Sequence, residues 1–179
     1  TFGKALPRAT DIAKQLVIVY TGLTVICIAT YSAIGMETLD AVVHGFATIA
    51  TGGFSPSDIS FTKYLGAGEY FGALFMILGS LPYIRYVQLV NGAVQPLWQD
   101  SQVRAYLRWL FAAVMLVTVW RVWTTGAAVE PTFREALFNL TSIMSSTGFF
   151  SGSFPTWGGF MLVVAFVIGV IGACSGSSA

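Results

Sequence analysis

Thr51-Gly52-Gly53-Phe54-Ser55 and Ser146-Thr147-Gly148-Phe149-Phe150 are the two stretches from which the rest of the chain can be read. Each follows a moderately apolar segment, residues 38–50 and 132–145. A helix of about 13 residues is ~20 Å long, enough to enter a hydrocarbon layer ~30 Å thick but not to cross it. Both segments open with a helix-start pattern. Glu37-Thr38-Leu39-Asp40 begins one and Glu130-Pro131-Thr132-Phe133-Arg134-Glu135 the other, with acid in each first turn and an early proline in the second. The pattern predicts a short re-entering helix followed by a glycine element, twice.

Longer apolar segments flank these pieces at residues 16–36, 70–90, 109–129 and 157–174. The 179-residue chain is 55% apolar and 9% charged, with mean hydropathy +0.74. That is about a third of the charge a soluble domain carries. The 22 residues between Lys14 and Glu37 hold no charge, and neither do the 44 residues from Ala136 to Ala179. The first segment is long enough to span a bilayer, and its length and apolar continuation rule against a signal peptide. The other three are interrupted, by Pro82 and Arg85, by Arg121, and by glycines.

The two short pieces align at an offset of 95 residues. Asp40 falls on Glu135, Ala41 on Ala136, Ile49 on Met144, Thr51 on Ser146, Gly53 on Gly148 and Phe54 on Phe149. Few of these are identities, but the order of span, half-helix, glycine element and span repeats with them. The predicted fold is an all-α membrane protein of two tandem span–pore half-helix–filter loop–span repeats. Residues 1–15 form a cytoplasmic amphipathic lead-in, 16–90 the first repeat, 91–102 a cytoplasmic linker and 103–179 the second repeat. With no initiator methionine and a Gly/Ser run at the end, the chain reads as an internal fragment.

Charge sets the expected orientation. Lys4, Arg8, Lys14, Arg85, Arg104 and Arg108 against Asp11 and Asp100 give one side a net +4. Lys63, Arg121 and Arg134 against Glu37, Asp40, Asp58, Glu69, Glu130 and Glu135 give the other a net −3. The positive-inside rule then puts both ends in the cytoplasm, with Trp120, Trp123, Tyr64 and Tyr70 near the outer headgroups. Cys27 and Cys174 lie in apolar stretches and read as reduced packing thiols, so no disulfide framework, metal cluster or covalent cofactor is expected. A formal charge of +1 carries no nucleic-acid footprint. One histidine and no paired acids within a span argue against an enzyme.

Non-helical backbone at membrane depth is tolerated only where it is packed in protein or lines a wet cavity. A glycine element after a half-helix suits the second case, because backbone carbonyls aimed at a dehydrated cation can replace its water shell. Successive carbonyls face one way only if some residues take backbone angles that a Cβ disfavours, which is the place of Gly53 and Gly148. Hydroxyls at Thr51 and Ser146 add ligands or anchor the loop.

The run His44-Gly45-Phe46-Ala47-Thr48-Ile49-Ala50-Thr51-Gly52-Gly53-Phe54-Ser55 leads this comparison, followed by Phe75-Met76-Ile77-Leu78-Gly79. Ser142-Ile143-Met144-Ser145-Ser146-Thr147-Gly148-Phe149 and Ile171-Gly172-Ala173-Cys174-Ser175-Gly176-Ser177 complete it. Together they resemble the Trk/Ktr/HKT superfamily of potassium transporters, closest to its bacterial Trk branch. Residues 8–14 and 20–25 also resemble the start of a Trk-type repeat. The resemblance implies potassium uptake across the cytoplasmic (inner) membrane by a multi-pass protein with four repeats around one pore. This chain would hold the second and third repeats, the first and fourth being missing. It implies filter carbonyls from Thr51, Gly52, Gly53 and Phe54 and from Ser146, Thr147, Gly148 and Phe149, with potassium as the transported ligand. It implies an intramembrane gate whose start matches Gly172, Ala173, Cys174, Ser175, Gly176 and Ser177, Ser175 and Ser178 departing from the more usual alanine and threonine. It further implies a homodimer and a cytosolic ring of nucleotide-binding regulatory subunits.

Plainer roles stand beside these. His44 reads as a hydrogen-bonded packing histidine rather than a proton sensor. Asp40, Glu135 and Glu37 suit helix N-termini whether or not they attract cations. Asp58 and Glu69 read as solvated loop charges, and Arg85 as an interfacial side chain. Residues 79–82 suggest a kink, and Asn91-Gly92, Pro96 and Trp98 a turn between repeats. The functional alternative to transport is a non-conducting membrane scaffold or accessory subunit built on the same repeat.

Overall fold

The computed structural model describes residues 5–93 and 95–176, and side chains within residues 10–172. All regular structure among them is helical. Helix α1 (Ala5–Ala33) is followed by α2 (Thr38–Ile49), α3 (Ala67–Ser80), α4 (Tyr83–Val90), α5 (Gln95–Gln99), α6 (Ser101–Thr125), α7 (Val129–Met144) and α8 (Gly159–Gly176).

Residues 10–33 of α1 and the whole of α6 are long and apolar enough to cross a bilayer. Helix α1 ends where Gly35 takes φ +97°, with Met36 N–H bonded back to the Tyr31 carbonyl. Helix α6 starts eight residues before the predicted span. Asp100 Oδ1 caps it by accepting from the amides of Gln102 and Val103 at 2.8 and 3.3 Å, and Gly126 at φ +66° closes it. Helices α2 and α7 are about 18 and 24 Å long, too short to cross.

The predicted second span is not one helix. Helices α3 and α4 meet at 91°, a sharper break than a kink. Pro82 has no N–H for the Leu78 carbonyl and pushes Leu81 into extended backbone, φ −77° and ψ 153°. The Tyr86 hydroxyl takes over the freed carbonyl at 2.6 Å, which is how a helix can stop at membrane depth without an orphaned acceptor. Arg85 on α4 pairs with Asp100 at 2.8 Å.

Helix α8 runs unbroken through Gly172 to Gly176. The glycines of this segment therefore do not interrupt the helix as far as Gly176, and Ser177 lies outside the described residues.

Each half-helix packs against the span on either side of it, α2 between α1 and α3, and α7 between α6 and α8. The two repeats meet chiefly along α3 and α7. Gly72 is the close point of that seam: a Cβ there would stand 2.6 Å from the Phe138 ring. Buried residues around Tyr31, Phe61, Met76 and Phe138 fill the space between the repeats. The outward faces of α1, α6 and α8 carry Val17, Ile18, Phe111, Leu116, Val163 and Phe166, all exposed, as lipid-facing surfaces require.

Candidate ion-coordinating site

Helices α2 and α7 end identically at the 95-residue offset. The amides of Ala50, Thr51 and Gly52 bond the carbonyls of Phe46, Thr48 and Ala47 at 3.0, 3.1 and 2.8 Å. Those of Ser145, Ser146 and Thr147 bond Thr141, Ile143 and Ser142 at 2.8, 3.1 and 2.9 Å. This is a left-handed C-terminal cap, and glycine usually occupies its turning position. Here Thr51 at φ +49° and Ser146 at φ +58° take that position instead.

Two residues later the chain turns left-handed again, at Gly53 with φ +67° and Gly148 with φ +91°. Left-handed residues therefore alternate with ordinary ones in both loops, at 51 and 53 and at 146 and 148. Alternation of this kind rotates successive peptide planes so that their carbonyls share a side, which regular strand backbone does not do. Each loop also sits at a helix C-terminus, where aligned peptide dipoles sum to about half a negative charge.

The two loops touch. A Cβ on Gly53 would lie 2.0 Å from the Thr147 carbonyl oxygen and 3.4 Å from the carbonyl carbon of Gly148. Of the eight predicted filter residues, Gly52, Phe54, Ser146 and Gly148 are exposed, whereas Thr147 and Phe149 are buried. The two phenylalanines differ most. Phe149 is 3% exposed, set against Phe61 at 4.9 Å and His44 at 5.6 Å, while Phe54 is 76% exposed.

The polar supports behind the loops repeat as well. His44 is fully buried, and its Nδ1–H donates to the Asp40 carbonyl at 2.8 Å. That leaves Nε2 to accept from the Ser55 hydroxyl at 3.0 Å. Asn139, 95 residues on, donates from Nδ2 to the Glu135 carbonyl at 2.8 Å and to Ser151 at 3.2 Å, and its Oδ1 accepts from Ser151 N–H at 3.0 Å. Each half-helix thus holds the segment downstream of its own glycine loop. His44 has the packing role expected of it. Asn139 and Ser151 had escaped notice, although the 95-residue alignment that paired Asp40 with Glu135 also pairs His44 with Asn139.

The acids at the half-helix starts hold loops too. Asp40 accepts from Lys63 at 3.0 Å and from the Tyr64 hydroxyl. The Tyr64 hydroxyl, and after it Lys63, hold the Asp40 carboxyl below its ordinary range against the effect of burial. Glu135 accepts from the amide and hydroxyl of Ser153, both at 3.2 Å.

Glu69 requires a correction. Read as a solvated loop charge, it is completely buried. Its Oε2 accepts from Gly66 N–H at 2.9 Å and from Arg134 Nε at 2.5 Å, and its Oε1 from the Ser151 hydroxyl at 2.6 Å. Arg134 also bonds Glu130 at 2.6 and 2.8 Å. The partners lie 65 and 82 residues from Glu69, so its neighbours in sequence could not announce the pair. Removing one partner of such a pair leaves an uncompensated buried charge, at a cost of ~3–5 kcal/mol. Asp58 is exposed, as expected.

No protein-family model matches the chain. Curated relatives do. A Trk system potassium uptake protein, TrkI, of Halomonas elongata is 36% identical over 177 residues, which is 98% of this chain and 36% of that one. TrkH of Escherichia coli K12 is 31% identical over 98% of this chain and 37% of its own length. The crystal structure of the potassium transporter TrkH from Vibrio parahaemolyticus superimposes with a TM-score of 0.83 at 27% identity, covering 90% of this chain and 36% of that one. The chain spans a little over a third of the length of these relatives. By sequence and by fold it is thus a homologue of the Trk potassium uptake proteins across nearly all of its own length.

Proposed function

We propose that the chain supplies two of the strands that line the potassium pathway of a Trk-type uptake system in the cytoplasmic membrane. The alternating left-handed residues of the two touching loops carry this reading. They favour a shared carbonyl face at two helix C-termini, where negative potential suits a partly dehydrated cation. Cation coordination then falls to the carbonyls of residues 51–54 and 146–149, and no covalent chemistry is involved.

Two strands do not enclose an ion. The open face at Phe54, beside the covered one at Phe149, supports a pathway completed by further repeats of the same kind. In this reading both ends of the chain face the cytoplasm, as the Lys/Arg imbalance suggests. A homodimer and a cytosolic nucleotide-binding ring follow from the family resemblance. The segment 172–177 would belong to the intramembrane gate, its described residues 172–176 being the end of a continuous α8.

The test is uptake by the full-length protein in cells lacking other potassium uptake systems. Gly53→Ala and Gly148→Ala should each lower potassium over sodium discrimination while Asp58→Asn leaves it unchanged. Undiminished discrimination in both glycine variants would refute the carbonyl assignment. Absence of any ion flux from the unaltered protein would favour the scaffold.

A further inference from the structure

The second glycine loop is held from outside its own repeat. Phe150 and Ser151 follow directly on residues 146–149, and three ties from the first repeat reach them. Phe61 N–H donates to the Phe150 carbonyl at 3.1 Å, and Phe150 N–H donates to Ser60 Oγ at 3.3 Å. The Ser151 hydroxyl donates to Glu69 Oε1 at 2.6 Å. Ser60 itself sits at φ +47°, a left-handed angle that costs a non-glycine residue energy and persists only where surroundings impose it. Glu69 is fixed in turn by Gly66 N–H and Arg134.

The first loop has no such clasp among the described residues: Ser55 is tied to His44 of its own repeat, and Phe54 is exposed. We propose that Ser60 and Glu69 are positioning residues for the second loop, setting where the carbonyls of residues 146–149 stand relative to those of 51–54. This inference rests on the potassium-pathway reading above. Ser151 stands only two residues from Phe149 and three from Gly148, so a displacement of Ser151 is carried by the covalent chain to both. Ser60 and Glu69 therefore act on ion discrimination from roughly 80–90 residues upstream, without touching the ion.

The experiment measures the potassium-to-sodium uptake ratio and the membrane level of the full-length protein carrying Ser60→Ala, Ser151→Ala, Glu69→Leu, Glu69→Leu/Ser151→Ala or Ser60→Ala/Ser151→Ala. Loss of one buried hydrogen bond should lower the ratio roughly threefold to tenfold at normal membrane level. Glu69→Leu and Ser151→Ala break the same bond, so the double variant should be no worse than the more affected single one, whereas Ser60→Ala/Ser151→Ala should compound. A role confined to stability would lower the membrane level and leave the ratio unmoved. If the ratio is unchanged in Ser60→Ala and Ser151→Ala while Gly148→Ala still lowers it, the positioning role is overturned and the pathway reading stands. If Gly148→Ala also leaves it unchanged, the pathway reading falls with it. Should Glu69→Leu fail to accumulate, the two hydroxyl deletions decide alone, a lowered ratio in both supporting the proposal and an unmoved one overturning it.

Discussion

Gly172 and Met144 meet backbone to backbone: a Cβ on Gly172 would lie 2.0 Å from the Met144 carbonyl oxygen. Gly79 holds the matching place in the first repeat, where a Cβ would lie 3.1 Å from the Ile49 carbonyl oxygen. In both repeats the closing helix leans, through a glycine, on the last turn of the half-helix. Backbone cannot yield as a flexible side chain can, so Gly172→Ala should cost ~1–3 kcal/mol or more and Gly79→Ala clearly less. Thermal unfolding of the purified full-length variants in detergent gives the order. Equal midpoints would mean that the two helices do not approach as closely as described.

Gly53 and Gly148 should not respond alike to alanine. At Gly148 an added Cβ meets nothing within 4 Å, so the variant carries only the strain of φ +91°. At Gly53 the strain of φ +67° comes with a collision against the Thr147 carbonyl. Left-handed strain alone is worth about 1–2 kcal/mol, and the collision adds to it by pushing the second loop away. Gly53→Ala should therefore lose more potassium discrimination than Gly148→Ala in the same uptake assay. The reverse order would show that the loops do not touch.

How far the sequence could be read follows from how local each signal is. The two glycine loops were legible because left-handed backbone selects glycine, and because a fixed offset exposes a repeat even with few identities. The first span was legible from an uninterrupted run of apolar residues. Pro82 announced the break in the second apolar segment, but its 91° angle is accompanied by a bond from Tyr86 to the Leu78 carbonyl. Periodicity does not encode that bond. Glu69 was misread because its acidic side chain follows Gly66 and precedes an apolar run, as any solvated helix start does. Its partners Arg134 and Ser151 arrive only when α3 packs on α7. Ser60 had no signal at all, since serine in a polar loop looks the same at any backbone angle.

Asp40 sets a pH dependence whose sign can be worked out. The Tyr64 hydroxyl and then Lys63 lower its carboxyl in the folded protein relative to the free value of about 3.9. The folded form then binds fewer protons than the unfolded one. The stabilisation is fully present above about pH 5 and is lost as pH falls through the folded value. Lys63 also pairs with Glu37 at 3.4 Å, and the Asp40 contact is the first cause that pushes Lys63 up. Thermal midpoints should drop below about pH 5, in addition to the loss that begins near pH 6.5 because burial pushes the His44 imidazole down. Asp40→Asn should be less stable at neutral pH and show a shallower drop. Parallel profiles for the two proteins would exclude this contribution.

His44 and Asn139 do the same work with different side chains, so removing the polar function should have the same local consequence in each repeat. His44→Phe keeps an aromatic ring against Phe61 and Phe149 but leaves the Ser55 hydroxyl without its acceptor. Asn139→Leu keeps volume but strands the Ser151 amide in a buried site. An unsatisfied buried group costs ~1–3 kcal/mol. The amide is tied to backbone beside the second loop, whereas Ser55 can turn its hydroxyl toward solvent, so Asn139→Leu should be the more damaging. Amide hydrogen exchange reads this directly: protection should fall at Ser151 in Asn139→Leu, with a smaller loss at Ser57, whose amide donates to Ser55 Oγ, in His44→Phe. Unaltered exchange at Ser151 would mean that Asn139 does not hold the strand beyond the second loop.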